Sequence, residues 1–594
     1  MTYAAPIKDM KFVLSNLVKI DSFGQMPAFE DTNYELAADM LDGGSRFFDE
    51  QLAPTNWDTN LEGVKLENGK VVVPEVFRAM WDGFRETGWL GASFPQDMGG
   101  MGLPWAIGAC GIEMVNSANM SFGLLPLLTQ GAIEALVAHG DDLQRETYVP
   151  RLISGEWSGT MNLTEPHAGS DVGALRAKAV PQDDGSFLIS GQKIFITWGD
   201  HDLVENTVHL VLAREPGSPE GTKGISLFLV PKFLVNADGS LGQQNDVRVG
   251  GVEEKIGIHA SPTCVMRFGD DGGAIGWRIG EQNAGMAAMF TMMNNARLGV
   301  GVQGLGIGER AYQHALAFAK ERVQSAALGA RDKTGVTIIQ HPDVRRNLLT
   351  MRSQCEAMRG MALLAYASLD RAHASADDAE RSYHTRRVDL LTPLVKGFGT
   401  DMAVEVASIG VQIHGGMGFV EETGAGQYYR DARILPIYEG TNGIQALDLM
   451  GRKLARDRGQ GTGELIAEMK ADIATAAASS SAQVQDLAQM LGAAVDLLDE
   501  ATAWMLATTG EDIFQAAAGA TPFLNQWGVV VGGWVMLNRA AAGDTDQVLS
   551  ADEKQAQLLS SDFYMRNVLP RAKAFADQVM HGGDALLEMT EEQF

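Results

Sequence analysis

Cysteine is nearly absent from this chain, and the three present, Cys110, Cys264 and Cys355, stand far apart. No Cys-x-x-Cys pair occurs and no histidines accompany the cysteines at ligand spacing, which excludes a disulfide framework and an obvious zinc site; no metal is expected. Basic residues are also scarce: 47 Lys and Arg face 75 Asp and Glu, for a formal charge of -28. That balance argues against a nucleic-acid binder and against a polybasic membrane anchor. Neither the N-terminus nor the most apolar late stretch reads as a membrane segment. Met1 to Leu17 is broken by Lys8, Asp9, Lys11 and Asn16, which is not the pattern of a secretory signal. Trp527 to Leu537 is too short to cross a bilayer. A cytoplasmic location with no membrane partner is the resulting expectation.

What is present is an ordinary globular composition, 45% hydrophobic and 21% charged, over 594 residues, too many for one core. Residues 1–34 are mixed in character and read as an N-terminal extension. From 35 to 156 the pattern is helical, with Leu36, Met40 and Leu41 and then Val76, Met80 and Phe84 at helical spacing. Short β-branched and aromatic runs take over from 157 to 282. Phe187 to Thr197 follows an Asp184-Gly185 turn, and Val208 to Leu212, Ile225 to Val230 and Val265 to Phe268 are further strands. Helical character returns over 283–455, in runs such as Leu298 to Arg322 and Val344 to Asp370. Arg456 to Gly461 reads as a flexible joint into a last helical segment, 456–594.

Three short patterns carry chemistry. Ile437-Tyr438-Glu439-Gly440-Thr441 sets one carboxylate between an aromatic residue and a glycine, where loss of water raises its pKa and makes it a base near neutral pH. Thr164 to Asp171 contains a Gly-Ser turn whose N–H groups can hold a phosphate or the edge of a polar heterocycle; the bland alternative is a loop closed by an Asp cap. Phe195-Ile196-Thr197 places an aromatic and a hydroxyl on one strand face, fit for a flat ring or equally for a half-buried strand end. Other patterns carry nothing. Gly299-x-Gly301-x-x-Gly304 lies within a helical run with no preceding strand, so it reads as close helix packing. His414-Gly415-Gly416 has no G-x-S-x-G partner in the chain. Met286, Met289, Met292 and Met293, at helical spacing, read as core filler.

Five separated motifs stand in the order and spacing of the acyl-CoA dehydrogenase family, and from about 35 to 455 the chain resembles that family. They are Thr164-Glu165-Pro166-x-Ala168-Gly169-Ser170-Asp171, Gly191-Gln192-Lys193-x-x-Ile196-Thr197, Lys320-Glu321-Arg322, Val411-Gln412-Ile413-His414-Gly415-Gly416-x-Gly418-Phe419, and Ile437 to Thr441. The resemblance implies an α+β multidomain fold: an N-terminal helical domain, a central β-domain, a C-terminal four-helix bundle and here an added helical extension. It implies FAD, with Leu163, Thr164, Gly169 and Ser170 on the flavin and pyrophosphate and Phe195 and Thr197 against the ring. Arg322, Gln412, Gly415 and Gly416 would reach the FAD of a neighbouring subunit, and Thr441 the FAD beyond the base. Ser170, Asn294, Arg297 and Gly440 would contact the acyl-CoA, and Glu439 would be the catalytic base. Phe195 stands where the family often has Trp, and Val323-Gln324-Ser325 and Gly443 depart from its adenosine-side pattern.

The implied reaction is α,β-dehydrogenation of an acyl-CoA to the trans-2-enoyl-CoA, with an electron-transfer flavoprotein as acceptor and a homodimer as the assembly. Within the family, the length and the helical extension are similar to a branch that oxidises 3-(methylthio)propanoyl-CoA in sulfur-osmolyte breakdown. A generic short- or medium-chain acyl-CoA dehydrogenase, an acyl-CoA oxidase on the same scaffold, and an inactive acyl-CoA- or flavin-binding protein are the alternatives.

Overall fold

The computed structural model describes residues 3–546 and 549–594; the first two residues of the expected N-terminal extension lie outside them. Helices come first, then a sheet, then two successive groups of helices. The N-terminal extension is not a loose appendage. Its helix Ile7–Val13 buries Met10 and Val13, and Asp9 reaches Arg359 and Arg539 deep in the later helices. In the helix Val76–Thr87 the buried face is Phe77, Trp81 and Phe84, while Val76 is exposed and Met80 only half-buried. The apolar stripe is therefore one position away from the expected Val76 and Met80, because the larger aromatic side chains take the core. Gly88, at φ +74°, ends that helix in the left-handed conformation glycine favours.

Met120–His139 is apolar enough to cross a membrane, yet it is almost wholly buried between the sheet and the later helices. The central sheet has eight strands. Along its main path the order is Val247–Val252, Thr263–Phe268, Phe187–Thr197, Ala274–Ile279, Ser226–Pro231, Asn206–Ala213 and Trp157–Asn162, and Lys178–Pro181 pairs with Phe187–Thr197 off that path. Its pairings are antiparallel except Trp157–Asn162 with Asn206–Ala213. Ala274–Ile279 splits its pairing, Ala274 to Gly276 with Phe187–Thr197 and Trp277 to Ile279 with Ser226–Pro231, which bends the sheet.

Four helical rods follow: Gly285–Glu321, Pro342–Ala374, the pair Asp378–Pro393 and Gly399–His414, and Asn442–Asp448 with its π-helical continuation Leu449–Ala455. The glycine-rich run lies inside Gly285–Glu321. A Cβ at Gly301 would sit 2.4 Å from Val395 and one at Gly299 2.6 Å from Leu127, so these glycines admit neighbouring elements at close range. The third rod is interrupted after Pro393, which has no N–H to donate, by the π-helical turn Leu394–Phe398.

The joint at 456–461 is ordered rather than flexible. Asp457 accepts from the N–H groups of Gly459 and Gly461, each at 2.9 Å, while Arg458 and Gly459 turn through positive φ. Arg386–Glu464 and Arg387–Glu468 ion pairs then tie the helix Gln460–Ala477 to the bundle. The helix Ala520–Thr545 buries Trp527 and Trp534 and lies across the π-helical turn, with Gly397 against Leu524 and Gly528 against Phe398.

Candidate active site

Glu439 sits in a loop between the helices Ala425–Ala432 and Asn442–Asp448. It has φ +54° and Gly440 φ +87°, two successive left-handed residues. Three bonds hold this shape. Asn442 N–H donates to Pro436 O (3.0 Å), Gln445 Nε2 to Gly440 O (3.2 Å), and the Thr441 hydroxyl caps the next helix through Ile444 N–H (3.3 Å). Thr441, expected to touch FAD, thus has a helix to cap as well. Tyr438 hydroxyl donates to Gln303 Oε1 (2.5 Å), and Gln303 in turn to Asn116 (3.0 Å), anchoring the loop to two other helices.

The Glu439 side chain is half-buried and makes no hydrogen bond among the described residues. Burial raises its pKa above the usual carboxylate value, and the nearby charges of Arg297 and Lys396 pull it back. The result is a carboxylate that is still ionisable yet more basic than one in water. Its backbone N–H also has no acceptor among the described residues. Arg297 is buried beside Gly440, with Nε unpartnered. Burial lowers its pKa, while Asp448 and Glu439 favour its charge. It therefore faces the base loop, whereas Asn294 is exposed one turn earlier. Gln445 is fully buried nearby with Oε1 unpartnered, a second polar atom left open at this loop.

The other half of the expected site lies on the β-domain. Glu165 is a buried pillar: its carboxylate accepts from Arg176 N–H (2.7 Å), Ala177 N–H (3.0 Å) and Lys193 Nζ (2.9 Å). Burial opposes its ionisation, but Lys193 and those N–H groups prevail and lower its pKa. Lys193 also donates to Leu163 O and Ile194 N–H to Thr164 O, so the Leu163 to Ser170 loop is clamped to the strand. Leu163 and Thr164 are half-buried, Gly169 and Ser170 exposed, and a Cβ at Gly169 would meet nothing within 4 Å. Phe195 does not follow plain strand alternation. The register shifts opposite Cys264 and Met266, Phe195 takes φ +61°, and the residue is 59% exposed. A positive φ at a residue with a side chain is a strained conformation, of the kind that clusters at active sites and ligand clamps. Thr197 is half-buried two residues on.

Arg322, Gln412, Gly415 and Gly416 are all exposed on this chain, and Cβ atoms at both glycines would point into open space. None of the four is among the charged or polar groups around Glu439. Lys396 is the residue that sequence reading missed: it is fully buried and among the charges closest in effect on Glu439. A lysine inside Leu394-Val395-Lys396-Gly397-Phe398 offers only one faint cue, its apolar neighbours. No cluster of His, Cys, Asp and Glu able to hold a metal occurs among the described residues, and the three cysteines are buried and free. A cavity of about 420 Å³ lined by Asn16, Arg371, Tyr383, Arg387 and Trp534 shares no residue with the Glu439 loop.

Glu439 thus stands on a half-buried loop with two successive residues at positive φ, and Phe195 stands exposed on the sheet. Family models match along the chain: the acyl-CoA dehydrogenase N-terminal domain over 38–156, middle domain over 160–270 and C-terminal domain over 283–455, and an acetyl-CoA dehydrogenase C-terminal-like domain over 465–590. The chain belongs to the acyl-CoA dehydrogenase family and is an oxidoreductase of that family. It is 47% identical over 589 residues to the 3-methylmercaptopropionyl-CoA dehydrogenase of Ruegeria pomeroyi, covering 99% of each chain. It is 35% identical over 611 residues to a butyryl-CoA dehydrogenase of Syntrophomonas wolfei, again covering 99% of both. An acyl-CoA dehydrogenase complexed with FAD from Bacillus anthracis has the same fold, with a TM-score of 0.75 at 20% identity over 96% of this chain and 91% of that one.

Proposed function

We propose that this enzyme converts 3-(methylthio)propanoyl-CoA to its trans-2-enoyl-CoA, with Glu439 as the base. The half-buried Glu439 carboxylate, raised in pKa and free of hydrogen bonds, carries the reading of the reaction. The near-half identity to the R. pomeroyi enzyme over both full lengths supports the substrate. Glu439 removes the α-proton onto a carboxylate oxygen, and its own unpartnered N–H is available to the thioester oxygen as negative charge develops there. Leu163, Thr164, Gly169, Ser170, Phe195 and Thr197 would hold FAD, with Arg322, Gln412, Gly415 and Gly416 reaching that of a second copy. When bound, the flavin supplies the two-electron oxidant for the β-carbon hydride. An exposed shelf, an unfilled glycine cradle and the unpartnered Gln445 oxygen fit that assignment. An electron-transfer flavoprotein is the proposed acceptor, the homodimer the proposed assembly and the cytoplasm the proposed location.

Glu439→Gln should keep the yellow flavin spectrum and abolish bleaching by acyl-CoA; rapid bleaching in that variant would contradict the base assignment. Across a panel of acyl-CoAs, kcat/KM should be highest for 3-(methylthio)propanoyl-CoA. A higher value for butanoyl-CoA would leave the reaction standing and move the substrate to the plain short-chain class. Stoichiometric peroxide in air, without an added acceptor, would indicate an oxidase.

A further inference from the structure

Lys396 is a fully buried lysine with no carboxylate within salt-bridge distance among the described residues. Among the described residues its ammonium makes one hydrogen bond, from Nζ to Asn442 Oδ1 at 3.0 Å. Asn442 is no bystander. Its backbone N–H closes the Pro436-to-Asn442 loop that carries Glu439, and the two protons of its side-chain NH2 are shared among Gly397 O (2.9 Å), Thr400 Oγ1 (3.0 Å) and Asp401 Oδ1 (2.8 Å). The base loop is thus stapled to the π-helical turn, a local element that recurs at functional sites. Around that turn Gly301 packs closely on Val395, Gly397 on Leu524 and Gly528 on Phe398. A buried ammonium with one neutral partner is costly unless an anion lies nearby.

We propose that Lys396 is a positioning residue for the dehydrogenation: through Asn442 it fixes the loop bearing Glu439 and keeps a buried ammonium behind that loop. Burial lowers the lysine's pKa to about 7, with Glu439 and then Asp401 favouring its charge. The charged groups around the loop are Arg297 on one helix, with Asp448 and Arg452 beyond it, and Lys396 and Asp401 on the other. On the acidic side, where Glu439 takes up its proton, Lys396 is charged, so losing it raises the pKa of Glu439. This proposal rests on Glu439 being the base.

The test is the pH profile of flavin reduction by acyl-CoA in the FAD-loaded enzyme, with the flavin spectrum and Tm recorded for each variant. The wild-type acid limb must first be absent in Glu439→Gln; a limb that persists there fails the base assignment itself. In Lys396→Met the limb should move up by about 1 unit or more, the size expected for losing a nearby opposite charge. Lys396→Gln, which can still donate to Asn442, should move it equally while keeping the faster plateau rate. A limb at its wild-type position in either variant overturns the proposal and leaves the base assignment intact. If neither variant retains flavin, Lys396→Arg decides: with the positive charge kept, the limb should stay at its wild-type position, and a limb moved up as far as charge loss predicts overturns the proposal.

Discussion

Glu439 and Gly440 show what the backbone of the site costs. A left-handed conformation is unfavourable for a residue with a side chain by about 1 to 2 kcal/mol, and Glu439 adopts it at φ +54°. The loop bonds from Asn442 and Gln445 offset this. Gly440 cannot be replaced cheaply, because a Cβ there would stand 2.8 Å from Gln445 Nε2 at a φ of +87°. Gly440→Ala should therefore slow flavin reduction at least about tenfold, equivalent to about 1.4 kcal/mol of barrier. The flavin spectrum should be kept, since the expected FAD shelf lies on the sheet. Stopped-flow reduction at the wild-type rate would show that the loop shape does not matter.

Among elements, the N-terminal helix Ile7–Val13 has the largest hidden role. Asp9 pairs with Arg359 at 2.5 Å and with Arg539, and Arg359 also pairs with Glu113 (2.6 Å) and Glu309 (2.9 Å). One small helix thus joins the N-terminal helices, the bundle and the C-terminal extension. Breaking a buried pair from one side costs about 3 to 5 kcal/mol, so Asp9→Asn should lower Tm by several degrees near neutral pH. Burial raises the Asp9 pKa, but Arg539 and Arg359 outweigh it and bring it from 3.8 down to about 2. A folded pKa below the unfolded one gives stability that is complete above about pH 4 and lost as pH falls towards 2. The Tm gap between wild type and Asp9→Asn should narrow over that window, and a constant gap would contradict the ion-pair account.

At the scale of the whole molecule, the proposed homodimer can be tested at exposed segments of the chain. Phe419 is 93% and Leu328 87% exposed, near the open cradle of Gly415 and Gly416 and the exposed Arg322 segment. Large exposed apolar groups are what protein contacts cover, and the proposed homodimer would bury them. Light scattering should give twice the 63.8 kDa chain mass. Phe419→Asp should shift the protein towards the monomer and release FAD together with dimer loss. A monomeric variant that holds its flavin would separate the two and remove the cradle from the cofactor site.

The sequence by itself determined the family, the helix–sheet–helix–helix order, the glycines as packing contacts and Glu439 as the residue to watch, because motifs and periodicity are local properties. Only the tertiary structure decided that Phe77 and Trp81, rather than Val76 and Met80, face the core, since that depends on which side chains the neighbours accommodate. It alone revealed the bulge that turns Phe195 outward, which arises from register against Cys264 and Met266. It turned the 456–461 joint from flexible to fixed. It brought Lys396 to Asn442 across 46 residues of sequence, a neighbour relation that no spacing rule encodes. Charge is written in the chain, but burial and proximity set what a charge does, and both belong to the fold.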